Sequence, residues 1–208
     1  SRDIFGEGLM IMPVRFMRGG EIVKDTATFV RANSRVPDMM IGDLTAKAGV
    51  CFSIGEARVK DAIATYGLDT LKQMFDDLGE RTLQQARQLI AEWTDGVHES
   101  ETWVDDPSDP DNPIRLHVAI IKEGDRLVLD FTATGDQAAA PINLRPAFVR
   151  GLAYSGMISL TDPYLPINHG LSAAIECRFR HGSLVDPEFP GPVGFYSKTV
   201  SIVESIVM

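Results

Sequence analysis

The chain has 208 residues, 44% of them hydrophobic and 24% charged, the balance of an ordinary soluble globular fold. Its net charge of −9 and isoelectric point near 4.9 argue against nucleic acid or an anionic membrane surface as a partner. No apolar stretch approaches the roughly twenty residues that span a bilayer, and no basic segment followed by an apolar one stands at the start, so a cytoplasmic protein is expected.

Residues 8–17 read as an extended apolar segment ended by a turn at Gly19-Gly20. Pro13 cannot donate to a ladder, which places the segment at a sheet edge or in a loop. A short helix is predicted from Asp25 to about Asn33, followed by a break and N-cap at Val36-Pro37-Asp38. The next helix carries Met40, Leu44, Ala48, Cys51, Phe52 and Ala57 at helical spacing. A third starts at Asp69 with a stripe of Leu71, Met74, Phe75, Leu78, Thr82, Ala86, Leu89, Ile90 and Trp93. Thr94-Asp95-Gly96 closes it with turn chemistry.

The pattern then changes to strands. Gly96 to Val104 is the first, and an acidic loop from Asp105 to Pro113 follows it. Ile114 to Lys122 and Arg126 to Phe131 form a hairpin about Glu123-Gly124-Asp125. A helix is predicted from Ala147 to Leu160, a strand from Ala173 to Phe179, and a Pro/Gly-rich connection from Pro187 to Gly194. Helices followed by strands, without strict alternation, indicate an α+β fold: a helical part over roughly 25–95, then mainly antiparallel strands with one further helix. We take residues 1–208 as a single piece of a larger subunit, with a mainly helical part to residue 95 and a mixed part from 96. The apolar run from Ser201 to Met208, which nothing closes, points to a longer polypeptide.

The candidate chemistry lies in loops. Leu129-Asp130-Phe131-Thr132-Ala133-Thr134-Gly135 carries an apolar strand into small and polar residues, with Gly135 available for a positive φ. Such residues either tie down an awkward loop or face a ligand or partner. Pro166-Ile167-Asn168-His169-Gly170 gathers an amide, an imidazole and a flexible glycine. Asp43 lies in the first turns of a helix, where its charge and a pairing with Lys47 also explain it structurally. His98 and His117 read as half-exposed strand residues. Cys51 and Cys177, neither in a Cys-x-x-Cys pair, read as buried free thiols. The acidic loop lacks the glycine and regular spacing of a calcium loop, and there is no phosphate loop or nucleophile elbow.

Taken in order, several segments resemble the B-type subunit of the hydantoinase/oxoprolinase family, which includes α subunits of acetone carboxylase-like enzymes. The resemblance runs through Glu7-Gly8, Ile11-Met12-Pro13-Val14, Gly19-Gly20, Asn33-Ser34-Arg35-Val36-Pro37 and Gly42-Asp43-Leu44-Thr45-Ala46. It continues through Tyr66-Gly67, Asp95-Gly96-Val97, Asp130 to Gln137, Ile142-Asn143 and Pro166 to Gly170. Ala133 and Thr134 stand where the family tends to have glycine and serine, and Ala138-Ala139-Ala140 replaces a glycine-containing stretch.

The resemblance implies a subunit of an ATP-dependent hydrolase of cyclic amides, or of an ATP-dependent ketone carboxylase, working in a hetero-oligomer. An actin-like A-type partner would hold ATP and Mg. The family's metal-binding histidines and aspartates lie upstream of the matching Glu-Gly segment. A divalent metal is therefore expected in the full subunit, no metal ligand is carried onto this chain, and the fragment alone is expected to be inactive. The expected site residues are His169 and Asp130 as catalytic groups, with Asn143, Asn168 and Asp43 contacting substrate. A reading of another class is a non-catalytic assembly module whose polar loops serve only packing.

Overall fold

The computed structural model describes residues 1–207, which divide into two compact units. One comprises Leu9–Phe75, and the other joins Ser1–Gly8 to the chain from Asp76 onward.

The first unit opens on the apolar segment, which is irregular up to a small antiparallel ladder of β1 (Met17–Arg18) and β2 (Glu21–Ile22). Gly19 and Gly20, at φ 58° and 85°, make its two-residue turn, a backbone that side chains with a Cβ adopt poorly. Helix α1 (Lys24–Ala32) follows, and Pro37 stands in the first turn of α2 (Pro37–Val50), where its missing N–H costs nothing. A π-helical turn at Cys51–Gly55 joins α2 to α3 (Glu56–Tyr66), and Gly67 ends that run. Only Val30 and Ile41 are buried apolar residues here among those described. Met40 and Phe52 of the expected buried stripe are exposed, and so is Cys51 against the expectation of a buried thiol. Three short helices alone enclose too little volume for a dense core.

The second unit carries the core. Helix α4 (Leu68–Ala91) contributes Thr82, Ala86 and Ile90 from the predicted stripe, all fully buried, whereas Met74, Phe75 and Leu78 are exposed. The sheet runs in the order β3 (Gly96–Val104), β4 (Ile114–Glu123), β5 (Arg126–Asp130), β6 (Ile175–Arg178). The first three strands are antiparallel, as expected, and β6 joins β5 in parallel. Among the described residues, three helices rather than one lie beyond residue 96: α5 (Pro146–Leu160), α6 (His169–Ala174) and α7 (Ser197–Val207). The six residues of α6 are too few to show a period, so the sequence read its last two as strand.

Leu116, Val118, Leu127, Leu129 and Phe131 from the sheet meet Val149 and Met157 of α5 and Val203 of α7 in one cluster. Each such side chain withdrawn from water contributes on the order of 1.5–3 kcal/mol. Phe131 also stacks on Phe179 at 5.7 Å between centroids, and Arg150 lies 5.1 Å over Phe179. His117 is buried rather than half-exposed, because β4 is covered on both faces.

The end of α4 is closed by a lysine from the sheet. Lys122, 6% exposed, donates to the Trp93 carbonyl at 2.5 Å and to Asp95 Oδ1 at 2.6 Å. The Gly124 N–H donates to the same oxygen at 3.0 Å. The Lys122 bond, and then that of Gly124, hold the Asp95 carboxyl below the ordinary aspartate value of 3.8. A depressed carboxylate stabilises the fold above its unfolded value and loses that contribution as pH falls through the folded one. In Lys122→Met, Asp95 is expected to titrate closer to 3.8, and the acid limb of the stability curve to flatten. Carbon-detected NMR of the Asp95 carboxyl checks the first, and urea unfolding across the acid range through which carboxylates titrate checks the second.

Candidate functional site

The Asn168-His169-Gly170 segment starts α6 where that helix crosses α4. Asn168 is its N-cap: Oδ1 accepts from the Gly170 N–H at 2.8 Å. The other end of the same amide donates to Thr82 Oγ1 at 2.9 Å, and the Thr82 hydroxyl donates to the Leu78 carbonyl at 2.9 Å. Both amide atoms of Asn168 are thus engaged in fixing α6 on α4. The crossing is close because two glycines meet there. A Cβ on Gly170 would lie 1.9 Å from the Gly79 carbonyl oxygen.

His169 occupies the first helical position and is exposed. Its ring rests on Gly79, so that a Cβ at that position would stand 2.0 Å from His169 Nε2. The imidazole makes no side-chain hydrogen bond or ion pair among the described residues, while the His169 carbonyl accepts from Ser172 Oγ at 2.8 Å. An exposed imidazole held by packing, with no side-chain partner of its own among the described residues, has the chemistry of a proton carrier.

Asp130 ends β5 and is half-buried. Its Oδ1 accepts from the Thr132 N–H at 2.9 Å and the Thr132 hydroxyl at 2.6 Å, while Oδ2 faces Arg178 at 3.9 Å. Arg178 in turn donates to Glu176 at 2.7 Å, which pulls the Glu176 carboxyl below its ordinary range. The parallel register separates Asp130 from His169. Asp130 pairs with Arg178 at one end of β5 and β6, whereas α6 enters β6 at Ile175, beside Leu127 at the other end.

Asn143 is completely buried and its amide is spent inside the loop. Oδ1 accepts from the Ala138 N–H at 2.8 Å. Nδ2 donates to the carbonyls of Ala138, Ala140 and Pro192 at 2.9, 3.2 and 2.8 Å. That is the geometry of a brace joining residues 138–143 to the Pro/Gly-rich segment. Asp43 lies exposed on α2, in the other unit. In the acidic loop, Asp106 Oδ1 accepts from the Ser108 N–H at 2.7 Å and the Ser108 hydroxyl at 2.5 Å.

Gly135 is required for a different reason than expected. It is absent from the positive-φ positions, but a Cβ there would stand 2.9 Å from Ile114 Cγ2 and 3.3 Å from the Arg115 carbonyl. Thr134 beside it is buried and its hydroxyl donates to the His117 carbonyl at 3.0 Å. Glu7 accepts from the backbone N–H groups of Val193 at 2.9 Å and Gly194 at 2.6 Å. Gly79 carries this architecture without a local motif that marks it. The sequence marks Thr82 only as a stripe position and Glu7 only as part of the Glu7-Gly8 segment, and contacts across the chain give both their roles.

Burial raises the Cys177 thiol to about 11, so it stays protonated near neutrality. Among the described residues, no group of three or more His, Cys, Asp or Glu side chains is arranged to hold a metal ion. No helix among the described residues is long and apolar enough to cross a membrane.

A family model described as hydantoinase B/oxoprolinase matches residues 1–208. The chain belongs to the hydantoinase B/oxoprolinase family. It is 28% identical over 201 residues to a putative D-/L-hydantoinase B-type subunit of Pseudomonas sp. (strain NS671), covering 91% of this chain and 34% of that one. It is 25% identical over 186 residues to the acetophenone carboxylase delta subunit of Aromatoleum aromaticum, covering 88% of this chain and 27% of that one. The fold matches the ATP-dependent caprolactamase from Pseudomonas jessenii with a TM-score of 0.87 at 23% identity, over 98% of this chain and 35% of that one. This family member thus spans about a third of the length of the relatives it matches.

Proposed function

We propose that the chain is part of the B-type subunit of an ATP-dependent enzyme that hydrolyses cyclic amides. The observation that supports this most is the family match over the whole chain, together with the hydantoinase subunit among the relatives. The enzyme would act in the cytoplasm as a hetero-oligomer with an A-type subunit that binds ATP. Opening a cyclic amide by hydrolysis breaks the C–N bond, and the departing nitrogen must gain a proton. His169, exposed and unencumbered, is our proposed carrier of that proton. Asn168 holds it in place through the Thr82 bond, and Asn143 braces the neighbouring loop rather than touching substrate. Asp130 and Asp43 are secondary candidates, Asp130 because its Oδ2 is left to a long contact with Arg178.

The acetophenone carboxylase relative favours a second reading, carboxylation of a ketone enolate. ATP turnover by the full-length subunit with its A-type partner separates the two. Turnover stimulated by a lactam or hydantoin without bicarbonate supports hydrolysis, and turnover that needs a ketone and bicarbonate supports carboxylation. Loss of a proton carrier costs on the order of 100-fold. His169→Ala is expected to lower kcat of the assembled complex by about that factor. An unchanged kcat with intact assembly removes His169 from the mechanism.

A further inference from the structure

We infer that Gly79 is a positioning residue for His169, and that α4 presents a bare patch of backbone as the seat of the imidazole. The inference rests on the reading of His169 as a proton carrier. A Cβ built on Gly79 would meet three ring atoms of His169 as its nearest neighbours: Nε2 at 2.0 Å, Cε1 at 2.2 Å and Cδ2 at 2.9 Å. Outside the helix's own backbone no other atom comes as near, so any side chain at position 79 displaces the ring.

Gly79 sits inside a 24-residue helix, where glycine is disfavoured relative to alanine. Nothing in the helix calls for it, since its φ lies outside the positive region. The crossing calls for it instead: its missing Cβ makes room for the ring, just as the missing Cβ of Gly170 makes room for the Gly79 carbonyl. Asn168 fixes the backbone next to His169 through its bonds to Gly170 and Thr82, at 2.8 and 2.9 Å. The ring has no hydrogen bond of its own to set its angle, so the flat surface of Gly79 sets it. A histidine placed in this way keeps an exposed imidazole without a side-chain partner among the described residues, at the expense of depending on one hydrogen atom at position 79.

The test uses the full-length subunit assembled with its partner, and compares Gly79→Ala, His169→Ala and the double variant. Gly79→Ala is expected to lower kcat about tenfold or more, to leave KM within about twofold, and to shift the pH profile of kcat. Long-range proton–nitrogen NMR should show the His169 ring signals moved. The double variant is expected to match His169→Ala in kcat and to be more stable than it, because alanine then gains helix propensity with no ring to strike. Parental kcat and ring signals in Gly79→Ala, with kcat lost in His169→Ala, overturn the role of Gly79 and leave that of His169 standing. Losses that multiply in the double variant also overturn it, as does failure of the double variant to fold. Parental kcat in His169→Ala overturns both readings together.

Discussion

Asn143→Ala is expected to lower the free energy of unfolding by about 3–5 kcal/mol. The substitution removes one acceptor and two donor hydrogens from a site with no exposure to water. It leaves the Ala138 N–H and the carbonyls of Ala138, Ala140 and Pro192 without the partner they share. A buried group left unpaired costs about 1–3 kcal/mol, which is more than a made bond contributes. Asn143→Asp refines the test. Its carboxylate keeps the acceptor for Ala138 but turns a second oxygen toward three carbonyls. Its deficit should therefore shrink as pH falls and the acid is protonated, while the parent loses stability over the same range. Urea unfolding at several pH values distinguishes the brace from a surface amide, whose loss would cost less than about 0.5 kcal/mol.

Gly170→Ala is the second large effect, about 3 kcal/mol or more. Its Cβ would fall 1.9 Å from the Gly79 carbonyl oxygen and 2.9 Å from the Leu83 nitrogen. Both are backbone atoms of α4, which no side-chain rotation can move aside. Helix α6 must lift, and the bond from Asn168 to Thr82 goes with it. Gly151→Ala is a matched control, since a Cβ there meets nothing within 4 Å in the middle of α5. That variant should gain up to about 1 kcal/mol. Thermal unfolding of the two variants side by side measures the difference. Equal stabilities would mean that the α4–α6 crossing is not tight.

The strands were legible because alternation and turn chemistry are local. The limits read for β3 coincide with those observed, and the Glu123-Gly124-Asp125 hairpin lies where glycine at φ 59° allows it. The α+β class and the family followed from ordered short segments. What escaped was set by distant partners. The Asn168–Thr82 bond spans 86 positions and the Asn143–Pro192 bond 49, so neither amide could be assigned its role from its neighbours in sequence. Gly135 illustrates the same limit: glycine announces conformational freedom, yet here it answers the crowding of Ile114. The stripe on α4 changes fate along the helix, exposed at Met74, Phe75 and Leu78 and buried at Thr82, Ala86 and Ile90. Only its second half packs on the sheet and its helices, which no periodicity records.

The carboxylate of Glu7 reaches the N–H groups of Val193 and Gly194, 186 and 187 positions later. Everything from Leu9 to Phe75 lies outside the unit that this clamp closes. During synthesis the Ile4–Glu7 turn must therefore wait, undocked, until Val193 and Gly194 have left the ribosome. The excursion between Gly8 and Asp76 is free to form its short helices in the meantime. A histidine seat on α4 and a brace at Asn143 come late for the same reason, since Gly170 and Pro192 arrive after most of the strands. Chaperone dependence during translation, rather than refolding of the finished chain, is where mutations at these positions should first be felt.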